Sequence, residues 1–228
     1  LYANVRRNNP APFCGLLKTD EFSVVSASPE RFLKVDRQRQ VETRPIKGTR
    51  RRPRSPIADL YASDELSTSE KDRAENVMIV DLLRNDMGRI SETGTVHVEQ
   101  LFAIERYPTV WQMTSRIASR TRERVPQILR ALFPSGSVTG APKIRTMQLL
   151  AELEPYPRGV YCGAIGWISP GGNAAFNVAI RCVTIDGRSG VAEYPVGSGI
   201  TADSNPEAEY QECLSKAAVL TRGAANFD

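Results

Sequence analysis

The chain predicts an α+β fold, with antiparallel strands towards both ends and helices between them. Three observations carry this. Residues 13–44 and 162–196 read as short alternating runs broken by turn residues. Over residues 74–82 and 144–153, apolar side chains recur at helical spacing. The 228 residues are 41% apolar and 25% charged, with no internal repeat or low-complexity tract, which suits a packed core. The expectation is one domain over residues 1–228. It would be an antiparallel β-sheet sandwich with outer helices, N-terminally truncated because the chain opens at Leu1 without Met.

Taken in order, residues 13–17, 21–26, 31–35 and 40–44 predict an antiparallel meander, with Ser28-Pro29-Glu30 breaking the second strand from the third. Pro45 then fixes its own φ and keeps Arg44 extended. Gly48 permits a sharp turn or a close approach to a ligand. Lys47 is expected at a rigid corner between them. Arg44, Arg50, Arg51 and Arg52 surround it in sequence, and like charges disfavour its ammonium form and free the amine as a nucleophile. From this stretch alone the alternative is a surface lysine in a basic loop. Residues 50–56, basic and proline-bearing, predict a loop.

Ser67-Thr68-Ser69-Glu70 predicts a capping box and a helix from about Thr68, with Ala74, Val77, Met78 and Leu82 as its buried stripe. Asp72, Glu75 and Ile79 share another face, and Asn85-Asp86-Met87-Gly88 ends the helix. Strand character returns at 96–104, and a helix is expected at 126–133. Small residues at 134–143 predict a tight loop that presents backbone N–H groups at the next helix start, a place for an anion. That helix carries Ile144, Met147, Leu150 and Leu153 as its stripe. Strands follow at 162–169 and 175–185, with a hairpin at Asp186-Gly187 back to 191–196. Ser204-Asn205-Pro206-Glu207 opens a last helix with Tyr210, Cys213, Leu214 and Ala217 inward.

Composition narrows the function classes. A net charge of +4 is mild and fits anionic small molecules as readily as nucleic acid. The arginines at 50–54 lack the interleaved aromatics of a strand-binding surface. No apolar run is long enough to cross a bilayer, and no signal peptide opens the sequence. Cys14, Cys162, Cys182 and Cys213 show no metal or disulfide spacing and predict reduced thiols in a cytoplasmic protein. His97, the only histidine, lies in the Thr95-Val96-His97-Val98 alternation and is read as a strand residue, so the sequence points to neither a Ser-His-Asp triad nor a His-rich metal site.

Two acid pairs stand out. Asp72 with Glu75, and Glu209 with Glu212, are each three apart and share a helix face. If the two helices face each other, four carboxylates converge, and oxygen-only ligands suit Mg²⁺ beside a charged substrate. The alternative is solvated helix acids, with Glu212 paired to Lys216.

Several stretches together resemble the chorismate-binding domain of anthranilate, aminodeoxychorismate, isochorismate and salicylate synthases. They are Ser28-Pro29-Glu30-Arg31-Phe32, Arg44 to Thr49, Ala74-Glu75-Asn76, Ile79 to Asp86, Gly136 to Lys143, Tyr161 to Gly166, and Glu207 to Glu212. The resemblance covers nearly the whole chain. It implies a chorismate-utilising fold and a Mg²⁺ ion bound by Glu75 and Glu212, with Asp72 and Glu209 around it. It implies substrate contacts from Tyr161, Arg181, Thr139, Gly197 and Gly199. Glu30 matches the family's acid/base glutamate. At Lys47 the anthranilate branch carries alanine, whereas lysine marks aminodeoxychorismate synthase component I. The resemblance therefore implies amination of chorismate at C4, through a covalent Lys47 adduct, with ammonia from a separate glutaminase subunit. Other chorismate chemistry, or an inactive fragment that only binds its partner, are the alternatives.

The chain departs from the family in two places. Trp111 and Gln112 stand where many members carry a histidine, and neither is a charged proton donor. Asp72 stands where glutamate is usual.

Overall fold

A computed structural model describes residues 1–8 and 11–224, and side chains within 1–7 and 11–217. The order is α1 (Tyr2–Asn8), β1 (Phe13–Lys18), β2 (Phe22–Ser28), β3 (Arg31–Val35), β4 (Gln40–Arg44), β5 (Ile46–Arg51), α2 (Pro56–Thr68) and α3 (Glu70–Gly88). Then come β6 (His97–Arg106), β7 (Val110–Arg120), α4 (Val125–Leu132), a 3-10 turn (Gly136–Val138) and α5 (Lys143–Leu153). The chain continues through β8 (Ala164–Ile168), β9 (Ala174–Val178), β10 (Cys182–Asp186), β11 (Ala192–Glu193) and α6 (Pro206–Ala224). The fold class is α+β, as expected. It forms two compact units: Leu1–Glu30, Tyr156–Ile165 and Asn177–Asp228 make the first, and Arg31–Pro155 with Gly166–Phe176 the second.

In the first unit, β1-β2-β10-β11 form an antiparallel sheet. Val24, Ala179 and Cys182 are its buried cluster, with Phe22, Val160 and Ile165 packed against them. Asn177 locks this interior: its amide donates to the Phe13 carbonyl and Ser26 Oγ, and its oxygen accepts from Ile165 N–H.

The second unit is built on β7. The sheet order is β5-β7-β4-β3-β9-β8, with β6 also on β7. β4 and β5 lie end to end along β7, since Thr43 pairs with Ile117 and Ile46 with Thr114. Pro45 separates them, and its carbonyl accepts from Ser115 N–H. Met113 and Ile117 of β7 are fully buried, as are Ile128 of α4 and Leu66 of α2.

The four-stranded meander expected over 13–44 is instead divided: β1 and β2 belong to one sheet, β3 and β4 to the other. Ser28-Pro29-Glu30 is the crossing point. Proline has no N–H for a ladder, so a sheet ends easily there. The strand expected over 175–185 is likewise broken at 179–181, where the chain leaves β9 for β10. The predicted 50–56 loop begins as strand, because Arg50 and Arg51 pair with Trp111 and Val110.

Three helix faces differ from expectation. On α3 the buried residues are Asn76, Ile79, Val80, Leu83, Asp86 and Met87, whereas Val77 and Met78 are exposed. The sequence is apolar on two faces, and packing against β7 selects one. Ser69, not Ser67, is the N-cap, and its hydroxyl accepts from Asp72 N–H. On α5 no residue is buried, and Ile144 is 67% exposed. On α6, Tyr210 and Leu214 are exposed, while Glu209 is buried. Asn205 is the cap there, its side chain accepting from Ala208 N–H.

Candidate active site

In the second unit, Lys47 lies within a strand and not at a corner. Ile46 pairs with Thr114 and Thr49 with Gln112, so the β5 side carries one extra residue, a bulge at Lys47-Gly48. Bulges re-aim a side chain out of the pleat. The Lys47 ammonium donates to the Ser137 carbonyl at 3.2 Å. Gly48 has φ +90°, and a Cβ there would lie 2.8 Å from Leu66 Cδ1 and 3.0 Å from Asp72 Cβ. Glycine is required at this position by both backbone and space. It lets β5 touch the first turn of α3, where the first acid pair sits.

The basic run beside Lys47 is not an unshielded positive field. Arg44 pairs with Glu105, Arg50 with Glu65 and Asp72, and Arg52 with Asp59. Arg44, Arg50 and Arg52 are thus charge-paired by carboxylates that the linear pattern did not bring near. Arg52 and Arg106 also lie over the Trp111 ring, whose N–H donates to Asp59 at 2.7 Å. The Arg52 hydrogen bond holds the Asp59 carboxyl below the usual carboxylate range, and burial opposes it. Trp111 is thus part of an ion-pair cluster, and Gln112 is a buried strand residue.

Asp72 accepts from Arg50 at 2.9 Å, and Glu75 follows one turn on. Thr139 lies just after the 3-10 turn, and its hydroxyl donates to the Ser135 carbonyl at 3.1 Å.

In the first unit, Glu30 is buried at the crossing between sheets. Its backbone is fixed by Val178 N–H donating to its carbonyl and by its own N–H donating to Ser28 Oγ. Arg181 lies at the break between β9 and β10 with φ +55°, a conformation side-chain-bearing residues seldom take. Such strain persists where the surroundings over-determine it, and it clusters at ligand sites. Tyr161 packs on the glycine loop: a Cβ at Gly197 would lie 2.7 Å from its hydroxyl oxygen. Burial pushes the Tyr161 phenol well above its ordinary range, so it stays a neutral donor. Gly199 has open space beside it.

The second acid pair is held from both sides. Glu209 accepts hydrogen bonds from Ser198 and, at 2.8 Å, from Ser204. Glu212 pairs with Lys216 at 2.6 Å, and Lys216 also donates to the Gly197 carbonyl at 2.8 Å. The glycine loop and the α6 acids are one network. Ser198, Ser204 and Lys216 were not singled out as site residues from sequence; of these, only the Glu212–Lys216 spacing of four was readable. Among the described residues, no group of three or more His, Cys, Asp or Glu side chains gathers to hold a metal. Each acid pair nonetheless supplies the all-oxygen donors that Mg²⁺ takes, and Glu209 is already oriented by two hydroxyls.

With this geometry in place, comparison with known proteins identifies the class. The chain belongs to the chorismate binding enzyme family, whose profile matches residues 1–222. It is similar to an aminodeoxychorismate synthase of Streptomyces griseus, 48% identical over 223 residues, covering 97% of this chain and 31% of that protein. It is 45% identical over 217 residues to aminodeoxychorismate synthase component 1 of Klebsiella aerogenes, covering 94% and 48%. Among solved structures it resembles anthranilate synthase component I from Streptococcus pneumoniae TIGR4. The TM-score is 0.84 at 37% identity, covering 95% of this chain and 47% of that one. The chain thus spans about a third to a half of the length of these relatives.

Proposed function

We propose that this chain aminates chorismate at C4, giving 4-amino-4-deoxychorismate for 4-aminobenzoate and folate synthesis. The observation that carries the reading is the bulge in β5. It presents Lys47 while Gly48 touches Asp72, so the amine and an acid pair are set by one short stretch of backbone. The relatives named aminodeoxychorismate synthase support the same branch.

The reaction is two displacements. Lys47 first gives its ammonium proton to solvent; the neutral amine then attacks C2 as the C4 hydroxyl leaves, taking a proton from Glu30 and departing as water. Ammonia then attacks C4, the C2–N bond breaks, and Lys47 is regenerated; Glu30 receives the surplus proton. Splitting one hard substitution into two eases each step, and one carboxyl serves as acid and then base. Arg181 and Tyr161 bind the enolpyruvyl carboxylate, the guanidinium through its paired N–H groups. Gly197 and Gly199 offer backbone N–H groups that a side chain would cover, and Thr139 lines the pocket. Glu75 and Glu212, with Asp72 and Glu209, would hold Mg²⁺, which would neutralise the ring carboxylate as a Lewis acid.

Ammonia comes from a glutaminase subunit in this reading. The protein acts in the cytoplasm, consistent with four free cysteines; no described helix is long and apolar enough to cross a membrane. The test is incubation with chorismate, Mg²⁺ and ammonium salt, with products separated by chromatography. Aminodeoxychorismate formation that stops with EDTA and in Lys47→Ala is the expected result. A second reading, anthranilate formation, draws on the pneumococcal likeness; anthranilate as product, surviving Lys47→Ala, would replace the first. A mass increase on Lys47 after chorismate and Mg²⁺ without ammonia tests the covalent step.

A further inference from the structure

A buried ion pair outside the chemistry just described joins three elements. Asp86, near the end of α3, is 2% exposed. Lys143, the first residue of α5, pairs with it, and the Lys143 side chain is 12% exposed. The same ammonium donates to the Leu132 carbonyl at the end of α4, at 3.0 Å. Between Leu132 and Lys143 runs the 134–142 loop, which carries Thr139 and the Ser137 carbonyl that receives Lys47.

We propose that Asp86 and Lys143 form a clamp that positions this loop, and through the Ser137 carbonyl holds the Lys47 ammonium in place. The proposal rests on the reading of Lys47 as nucleophile. The loop's first half is anchored by packing: a Cβ at Gly136 would lie 2.7 Å from Leu82 Cδ2 on α3. Its second half has no such support from α5, which buries no side chain. Gly140 packs against that same helix, where a Cβ at Gly140 would lie 2.8 Å from Thr146 Cγ2. The ion pair ties the end of the loop and the start of α5 to α3. Charge is an expensive way to make such a tie. Apolar replacements of a buried pair are often as stable, so the directional bonds to Asp86 and Leu132 O serve position over stability.

The same physics supplies the test. In Asp86→Leu/Lys143→Met the apolar pair should melt close to wild type. Lys47 should then react faster with trinitrobenzenesulfonate, mapped by peptide mass, by about fivefold as the loop opens more often. Exposed Lys71 should be unchanged. Turnover number for chorismate amination should fall about tenfold or more with KM nearly constant, as for a misplaced nucleophile. Lys143→Arg alone, which keeps both Asp86 and the positive charge, should retain wild-type labelling and turnover. Asp86→Asn/Lys143→Met gives a second route to the same readings if the first variant does not fold. Wild-type labelling of Lys47 in a double variant that melts normally would overturn the clamp. Faster labelling in a protein whose wild type never aminates chorismate would uphold the clamp and overturn only the function.

Discussion

Gly48 is where the geometry makes its sharpest demand. In Gly48→Ala the new Cβ would stand 2.8 Å from Leu66 Cδ1 and 3.0 Å from Asp72 Cβ and Cγ, at φ +90°. Left-handed backbone costs a side-chain-bearing residue about 1–2 kcal/mol. Overfilling a packed contact costs about 1–3 kcal/mol more. The total of about 2–5 kcal/mol is large against a domain stability of about 5–15 kcal/mol. Two controls separate the parts. Gly94 has φ +79° with nothing within 4 Å, so Gly94→Ala reports strain alone. Gly88, in α3 with open space and no positive φ, should gain about 0.5–1 kcal/mol on change to alanine. Urea unfolding followed by circular dichroism measures all three, compared at equal m. A Gly48→Ala loss no larger than that of Gly94→Ala would refute the contact between β5 and α3.

At Gly166 a Cβ would fall 2.1 Å from the Ala175 carbonyl oxygen, which is backbone and cannot rotate away. Gly166→Ala is therefore expected to lose about 3 kcal/mol or more, read by the same urea titration. Ile144→Ala, at an exposed α5 position, should change stability by under about 0.5 kcal/mol. Ile79→Ala, buried on α3, should cost about 2–5 kcal/mol; reversed magnitudes would restore the face the periodicity favoured. Asp59 has its carboxyl pKa lowered by the Arg52 hydrogen bond, so its contribution is present above the unfolded value and lost as pH falls through the folded one. Melting temperature between pH 6 and pH 3 should therefore drop less steeply in Asp59→Asn, below about pH 4; identical slopes would remove Asp59 from the account.

Much of the architecture was legible in one dimension. The strands at 31–35 and 40–44 stand where alternation placed them, and α4 is displaced by one residue from expectation. The family was readable because its stretches join residue types that chemistry constrains together. The helix faces were harder. On α3, Val77 and Met78 are as apolar as Ile79 and Val80, so periodicity alone cannot choose the buried face. α2 was missed altogether, and it contributes buried Leu66 to the Gly48 contact. β7, the strand that carries the second unit, was not recognised as one; its 112–115 run is Gln-Met-Thr-Ser, buried despite its polarity.

What the linear chain determined by itself was an inventory: one lysine beside a glycine, two acid pairs at helical spacing, a proline ahead of the lysine, and a single histidine. These follow from local rules, since φ restriction, helix period and residue chemistry act over a few positions. Tertiary structure decided their state. Glu105, Glu65, Asp72 and Asp59 came to the arginines near Lys47, Ser198 and Ser204 came to Glu209, and Asp86 came to Lys143. Charge and burial depend on distance in space, and only folding sets which distant residues become neighbours.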